Sequence, residues 1–169
     1  IKDIMIKLRL SAYNEDRETG LIRHVLVKRS FTLNETMVVL VTKTEIFPGR
    51  NNFMKMLLAR HPGITTVIQN INSKDTSAVL GNKEIVLHGK GYITDTLGGY
   101  QFKISSQSFY QINPKQTEVL YSTALKLANL SKTDVLLDAY SGVGTIGIFA
   151  SSLVDKVISV ELEKSAYLD

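Results

Sequence analysis

The sequence predicts an α+β module of about a hundred residues followed by the opening of a parallel α/β sheet. Three observations carry that expectation. Helical and strand-like periodicities alternate irregularly up to residue 112. Pro114 then starts a long helical pattern. Finally a wholly apolar strand, a glycine loop, a helical stretch and a second strand follow one another between residues 135 and 160.

Taken in order, Ile4, Met5, Leu8 and Ala12 recur at three- and four-residue spacings, which predicts the end of an amphipathic helix over residues 1–12. A polar stretch from Asn14 ends in Gly20 and reads as a turn. Leu21–Arg29 and Met37–Thr42 are β-rich and predict an antiparallel pair. Phe53–Arg60 has a helical pattern that stops before Pro62-Gly63, and Ile64–Ile71 returns to strand. Residues 72–90 are polar with scattered short apolar runs and carry no assigned element. Tyr92–Thr96 and Tyr100–Ile104 flank Leu97-Gly98-Gly99 as a hairpin.

After Pro114 the residues Val119, Leu120, Ala124, Leu127 and Ala128 share one helical face. Val135-Leu136-Leu137 predicts a short, wholly apolar strand, Thr145–Leu153 a helix, and Val157–Val160 a second strand. One crossover cannot cover both faces of a parallel sheet, so the sequence reads as cut inside a domain. The expected division is residues 1–12 as the end of a helix packing on the second domain, 13–112 as a central domain and 113–169 as the start of that second domain.

Composition narrows the chemistry. The 44% hydrophobic and 21% charged content is that of a globular chain. No apolar run reaches the roughly 18 residues of a membrane span, and Ile1-Lys2-Asp3-Ile4 lacks the order of a signal peptide, so the expected location is the cytoplasm. Without cysteine there is no disulfide, no cysteine-ligated metal and no thiol nucleophile in these 169 residues. Residues 1–60 hold 11 Lys/Arg against 6 Asp/Glu, a balance that permits contact with phosphates or simply solvates the surface.

The sharpest chemistry lies in Asp138-Ala139-Tyr140-Ser141-Gly142-Val143-Gly144-Thr145-Ile146-Gly147. Gly142, Gly144 and Gly147 satisfy G-x-G-x-x-G between a strand and a helix, and Glu161 follows Gly144 by 17 residues, where a carboxylate accepts hydrogen bonds from ribose. That pattern fits NAD as well as S-adenosylmethionine. Asp138 favours the second, because a carboxylate at the strand end repels a pyrophosphate but attracts a sulfonium and an ammonium. The plainer alternative is that Asp138 caps the next helix and the glycines only turn the chain. His24, His61 and His88 have no metal-ligand spacing, Gly89-Lys90-Gly91 lacks the Ser or Thr of a P-loop, and Ser141 is not in G-x-S-x-G. Phe109-Tyr110 could stack on a base, although such residues more often belong to a core.

Two stretches together resemble the bacterial RNA (uracil-5-)-methyltransferases. Phe102-Lys103-Ile104-Ser105 and Ser108-Phe109-Tyr110-Gln111-Ile112-Asn113, with Gln116 and Tyr121 downstream, are similar to the signature that precedes their catalytic domain. Asp138–Thr145 is similar to their cofactor loop, and Gly20-Leu21-Ile22-Arg23-His24 and Gln69-Asn70-Ile71-Asn72 to further segments. The resemblance is closest to the Gram-positive enzymes of 23S ribosomal RNA, and the tRNA-modifying branch shares the core motifs. It implies an N-terminal RNA-binding barrel, a central α+β domain and a Rossmann-like domain that uses S-adenosyl-L-methionine, in an enzyme monomeric at full length. Matched by position, Gln111 contacts the methyl donor, Tyr140 lines its pocket and Glu161 holds the ribose, with Asp138, Gly142, Gly144 and Thr145 completing the cofactor set. Ser141 stands where many members have Cys and Thr145 where others have Asn. The nucleophilic Cys, the proton-accepting Glu and a further Asp of the family lie after the second strand, so no catalytic residue and no metal ligand is expected in this chain.

Overall fold

The computed structural model describes residues 1–74 and 77–168, with Ser165 described by its backbone alone. By contact the chain forms two units, one of residues 1–30 and 34–93 and one of residues 31–33 and 94 onward. The expected boundary after residue 112 and this one differ by the hairpin, whose Leu97 and Phe102 cluster with Tyr121, Val143 and Ala166 of the second unit.

The first unit runs α1 (Lys2–Lys7), β1 (Ile22–Arg29), β2 (Thr36–Thr42), α2 (Arg50–Arg60), β3 (Thr66–Ile71) and β4 (Lys83–His88). Its sheet has the order β1-β2-β3-β4. The pair β1–β2 is antiparallel as expected, whereas β2 and β3 are parallel from Met37↔Thr66 to Thr42↔Ile71, with α2 as the crossover. Parallel central strands are buried on both faces, which explains why Met37-Val38-Val39-Leu40-Val41 is continuously apolar and almost wholly inaccessible. One face packs Val38, Leu40 and Val67 against Ile4 of α1 and Phe53, Met54 and Leu57 of α2.

The helix expected over residues 1–12 ends at Lys7, because Leu8 leaves the helical conformation and Arg9 turns left-handed at φ 54°. The chain then bridges Ala12 to Ile22 instead of continuing the helix. Gly20 permits this approach, since a Cβ there would sit 2.2 Å from the Ala12 carbonyl oxygen. Strand β4 lies in the stretch left unassigned. It pairs antiparallel with β3 from Val67↔His88 to Ile71↔Lys83, and the connection leading into it is anchored by the side chain of the buried Asn70, whose Nδ2 donates to the Gly81 carbonyl at 2.9 Å and to Glu84 Oε1 at 2.8 Å, while its Oδ1 accepts from the Gly81 amide at 2.7 Å. Gln69 and Asn72 do the same for neighbouring carbonyls, so the Gln69–Asn72 motif is an organiser of connections.

The second unit holds β5 (Ile93–Leu97, all but its first residue), β6 (Tyr100–Ile104), α3 (Pro114–Ala128), β7 (Val135–Asp138), α4 (Thr145–Ala150), β8 (Lys156–Ser159) and α5 (Lys164–Leu168). Gly98 and Gly99 both take positive φ, as a two-residue hairpin turn demands. Asn113 caps α3 by accepting from the Gln116 amide at 3.2 Å, with Pro114 in the first turn. The buried side of α3 is Pro114, Thr117 and Tyr121, whereas the apolar face of Val119, Leu120 and Leu127 is exposed. Helical spacing locates an apolar stripe without saying what covers it.

Strands β7 and β8 are parallel, from Val135↔Lys156 to Asp138↔Ser159. Helix α4 lies on the Leu136/Val157 side, where a Cβ on Gly147 would approach Val157 Cγ1 to 2.9 Å. The other side presents Val135, Leu137 and Ile158 at 57%, 62% and 41% exposure. An open apolar face between two edge strands favours association. The 169-residue chain is therefore expected to self-associate in sedimentation velocity, and Leu137→Lys with Ile158→Lys to return it to monomer. A monodisperse monomer before substitution would contradict this.

Candidate nucleoside-binding site

The turn after β7 is shaped by its glycines and held by two carboxylates. Gly142 and Gly144 adopt φ of 56° and 76°, which side-chain-bearing residues rarely take. The Gly144 amide closes the turn on the Ser141 carbonyl at 2.8 Å, and Gly144 caps α4. Asp138 Oδ2 accepts from the Gly147 amide at 3.1 Å in the first turn of α4. Asp138 therefore does cap the helix, and the close fit at Gly147 is helix-to-strand packing. Neither role removes its charge from the strand end.

Glu161 follows β8 and faces the same turn. Its Oε2 accepts from the Gly142 amide at 2.7 Å and its Oε1 from the Glu163 amide at 2.7 Å. These bonds, the Glu163 amide first and the Gly142 amide second, hold its carboxyl below the usual carboxylate range. A group whose pKa is depressed on folding contributes stability above its unfolded value, and that contribution disappears as pH falls through the folded value. Acidification below the ordinary Glu range is thus expected to loosen the turn. The Gly142 amide resonance followed by NMR should shift with the Glu161 carboxyl, and an invariant resonance across that titration would refute the latch.

The structure brings Asp138, Gly142, Gly144 and Glu161 together, and places Thr145 beside them at the start of α4. Thr145 Oγ1 lies 3.0 Å from the hydroxyl of Tyr121, and Tyr121 also meets Phe149 edge to face at 5.5 Å. The buried hydroxyl pair ties α3 to the glycine turn. Sequence reasoning noted Tyr121 only within the resemblance, since nothing in spacing reveals a partner 24 residues away. Tyr140 is 96% exposed at the turn. Gln111 is half-buried between β6 and α3 and makes no hydrogen bond among the described residues. The Phe109-Tyr110 pair divides: Phe109 is exposed, while Tyr110 packs on Phe102 at 6.1 Å. Burial, with the nearby Asp95 carboxylate second, pushes the Tyr110 phenol up.

The basic first third also resolves in part. Arg23 is turned inward, donating to the carbonyls of Asn72 at 3.1 Å and Lys74 at 2.6 Å. Arg60 pairs with Asp3 at 3.0 Å. Among the described residues no His, Asp or Glu cluster is arranged for a metal, and no helix is long and apolar enough to cross a membrane.

A strand, a glycine turn leading into a short helix, and a carboxylate after the next parallel strand form a β-α-β arrangement of Rossmann-like type. No family model matches the chain. The resemblance read from the sequence is borne out by curated relatives named as uncharacterized RNA methyltransferases. The chain is 43% identical to one from Clostridium acetobutylicum over 96% of its own length and 35% of the relative's. It is 40% identical to one from Oceanobacillus iheyensis, covering 99% of the chain and 37% of the relative, and 40% identical to one from Staphylococcus aureus, covering 100% and 37%. The chain thus spans little more than a third of the relatives it matches. Among solved structures it superimposes on the Pyrococcus abyssi tRNA (uracil-54, C5)-methyltransferase in complex with S-adenosyl-L-homocysteine, with a TM-score of 0.75, 23% identity, and coverage of 98% of this chain and 39% of that one. The fold is accordingly the Rossmann-like methyltransferase fold with a mixed α/β unit before it.

Proposed function

We propose that the chain is part of a cytoplasmic, S-adenosyl-L-methionine-dependent enzyme, monomeric at full length, that methylates carbon 5 of uridine in RNA. Within that class we favour 23S ribosomal RNA over tRNA, following the sequence resemblance. The observation that carries the proposal is the pair of carboxylates, Asp138 and Glu161, holding the glycine turn from both sides. The turn fits the methyl donor. No heavy atom lies within 4 Å of where a Cβ of Gly142 would be, so its backbone is open to a ligand. Two anionic groups suit a ligand carrying a sulfonium and an ammonium and oppose a pyrophosphate.

In this reading Glu161, already ordered by two amides, accepts from the ribose hydroxyls with its remaining lone pairs. Gly142 and Gly144 keep the backbone low enough for close approach. Gln111 and Tyr140 complete the pocket by resemblance. The Thr145 hydroxyl, bonded to Tyr121, steadies the turn from beneath. When bound, S-adenosylmethionine supplies an electrophilic methyl group. Carbon 5 of uracil is a poor nucleophile, and a thiolate adding to carbon 6 places electron density on it. After methyl transfer a base removes the carbon-5 proton and the thiolate departs. The Cys that supplies this thiolate is proposed to lie outside the present chain, and the target base must leave its stack to be reached.

Calorimetry on the full-length protein tests the cofactor assignment. Saturable heat is expected with S-adenosylhomocysteine and none with NADH. The reverse would turn the same glycine turn into that of an oxidoreductase.

A further inference from the structure

The connection between β1 and β2 carries Phe31, Thr32 and Leu33, which group with the second unit. The amides of Phe31 and Thr32 donate to the two oxygens of Asp95 at 3.2 and 3.1 Å, and the Thr32 hydroxyl donates to Asp95 as well. The Thr96 amide in turn donates to Thr32 Oγ1 at 3.0 Å. Asp95 is almost inaccessible at 1% exposure, so this is a built anchor in the interior and not a solvent contact. Its effect is to fix the backbone of Phe31 while the Phe31 side chain remains 69% exposed.

Beside Phe31 lies a cavity of about 790 Å³ whose walls include Phe31, Thr96, Ile112, Lys115 and Glu118. Its apolar walls include Phe31, Pro114 and Ile112, the last 86% exposed. Lys115 brings a cation that has no ion-pair partner among the described residues. Glu118 uses Oε1 to accept from the Gly98 amide at 2.8 Å, which orients the carboxylate and leaves its other oxygen as an acceptor. An aromatic platform, a cation and an acceptor match the face of a base, a phosphate and a base N–H edge. No residue of the turn 138–145, nor Glu161, lines the cavity, so a base seated there is not the one receiving the methyl group.

We infer that this cavity takes one unpaired RNA nucleotide flanking the modified one, with its base stacked on Phe31 and its phosphate met by Lys115. The inference rests on the RNA-methyltransferase reading above. Phe31 is preorganised for the purpose, since the Asp95 anchor has already removed the loop entropy that binding would otherwise cost.

Fluorescence anisotropy with the full-length protein and an unpaired RNA oligomer tests it. Phe31→Ala is expected to weaken RNA binding about tenfold or more, as for loss of one base stack, and Phe31→Trp to retain it. Lys115→Gln is expected to lower the slope of log affinity against log salt by about 0.7, the single-strand value for one phosphate. Affinity for S-adenosylhomocysteine and the melting temperature should stay at wild type in all three variants, and affinity for a fully paired duplex should not respond to Phe31→Ala. Wild-type RNA affinity in Phe31→Ala, or equal loss in Phe31→Trp, would overturn the cavity assignment while leaving the proposed function standing. A wild-type protein that binds S-adenosylhomocysteine but no RNA would overturn both.

Discussion

Gly144→Val in the full-length protein is expected to abolish measurable binding of S-adenosylhomocysteine, a loss of at least about 100-fold or about 2.8 kcal/mol. The reason is conformational before it is steric. Gly144 sits at φ 76°, and a Cβ there would meet only the Ile148 side chain, at an ordinary 3.6 Å from Cδ1 and 3.9 Å from Cγ1, so the chain itself has room for a Cβ. A β-branched residue nevertheless strains the left-handed region by about 1–3 kcal/mol and is relieved by moving the turn. Such movement breaks the 2.8 Å bond from the Gly144 amide to Ser141 and displaces Gly142, whose amide is the grip of Glu161. Gly144→Ala should lose less affinity in the same direction, while Ser141→Cys should leave it unchanged. Because the Tyr121–Thr145 pair and the packing of Phe149 join α3 to α4 through side chains that Gly144 does not supply, melting temperature should fall far less than affinity. Unchanged affinity in Gly144→Val would remove the turn from the cofactor site.

How much of this was readable in advance depended on whether the signal is local. The β-α-β order and the glycine turn are local, because strand, φ and cap are decided within ten residues, and the structure reproduces them with ends moved by a few positions. The parallel pairing of β2 with β3 was not read, although the unbroken apolar run of β2 was its trace. Strand β4 escaped because its pairing with β3, and the Asn70 side chain that anchors the connection before it, are not local to its short sequence. The buried side of α3 escaped for the opposite reason. Val119, Leu120 and Leu127 announce an apolar face plainly, but burial depends on a neighbour that spacing does not contain. At the site, Asp138 was weighed as either a cap or a ligand group, and the geometry gives it the cap without excluding the charge. The Tyr121–Thr145 bond and the Asp95 anchor were invisible because each joins residues distant in sequence.

The 169-residue chain itself is expected to transfer no methyl group to RNA, with incorporation indistinguishable from a protein-free blank. Methylation of uracil at carbon 5 by the proposed route needs a thiolate, and this sequence contains no cysteine. A hydroxyl does not replace it. Ser141 is the only aliphatic hydroxyl inside the turn between Asp138 and Gly144, beside the exposed phenol of Tyr140, and its position there is fixed by backbone bonds to Val160 and Gly144. An unactivated serine has almost no alkoxide at neutral pH, and Asp138 and Glu161 spend oxygens on the Gly147, Gly142 and Glu163 amides rather than on a serine proton. The open Val135/Leu137/Ile158 face adds a second obstacle, because a two-stranded sheet leaves the turn poorly supported and weakens cofactor affinity. The two obstacles separate experimentally. Methyl-labelled S-adenosylmethionine with unmodified ribosomal RNA should give label only with the full-length enzyme, whereas calorimetry on the 169-residue chain should still detect weak S-adenosylhomocysteine binding that Gly144→Val removes. Label found at uridine carbon 5 with the short chain alone would refute the thiolate route, since these 169 residues hold no cysteine to supply the thiolate.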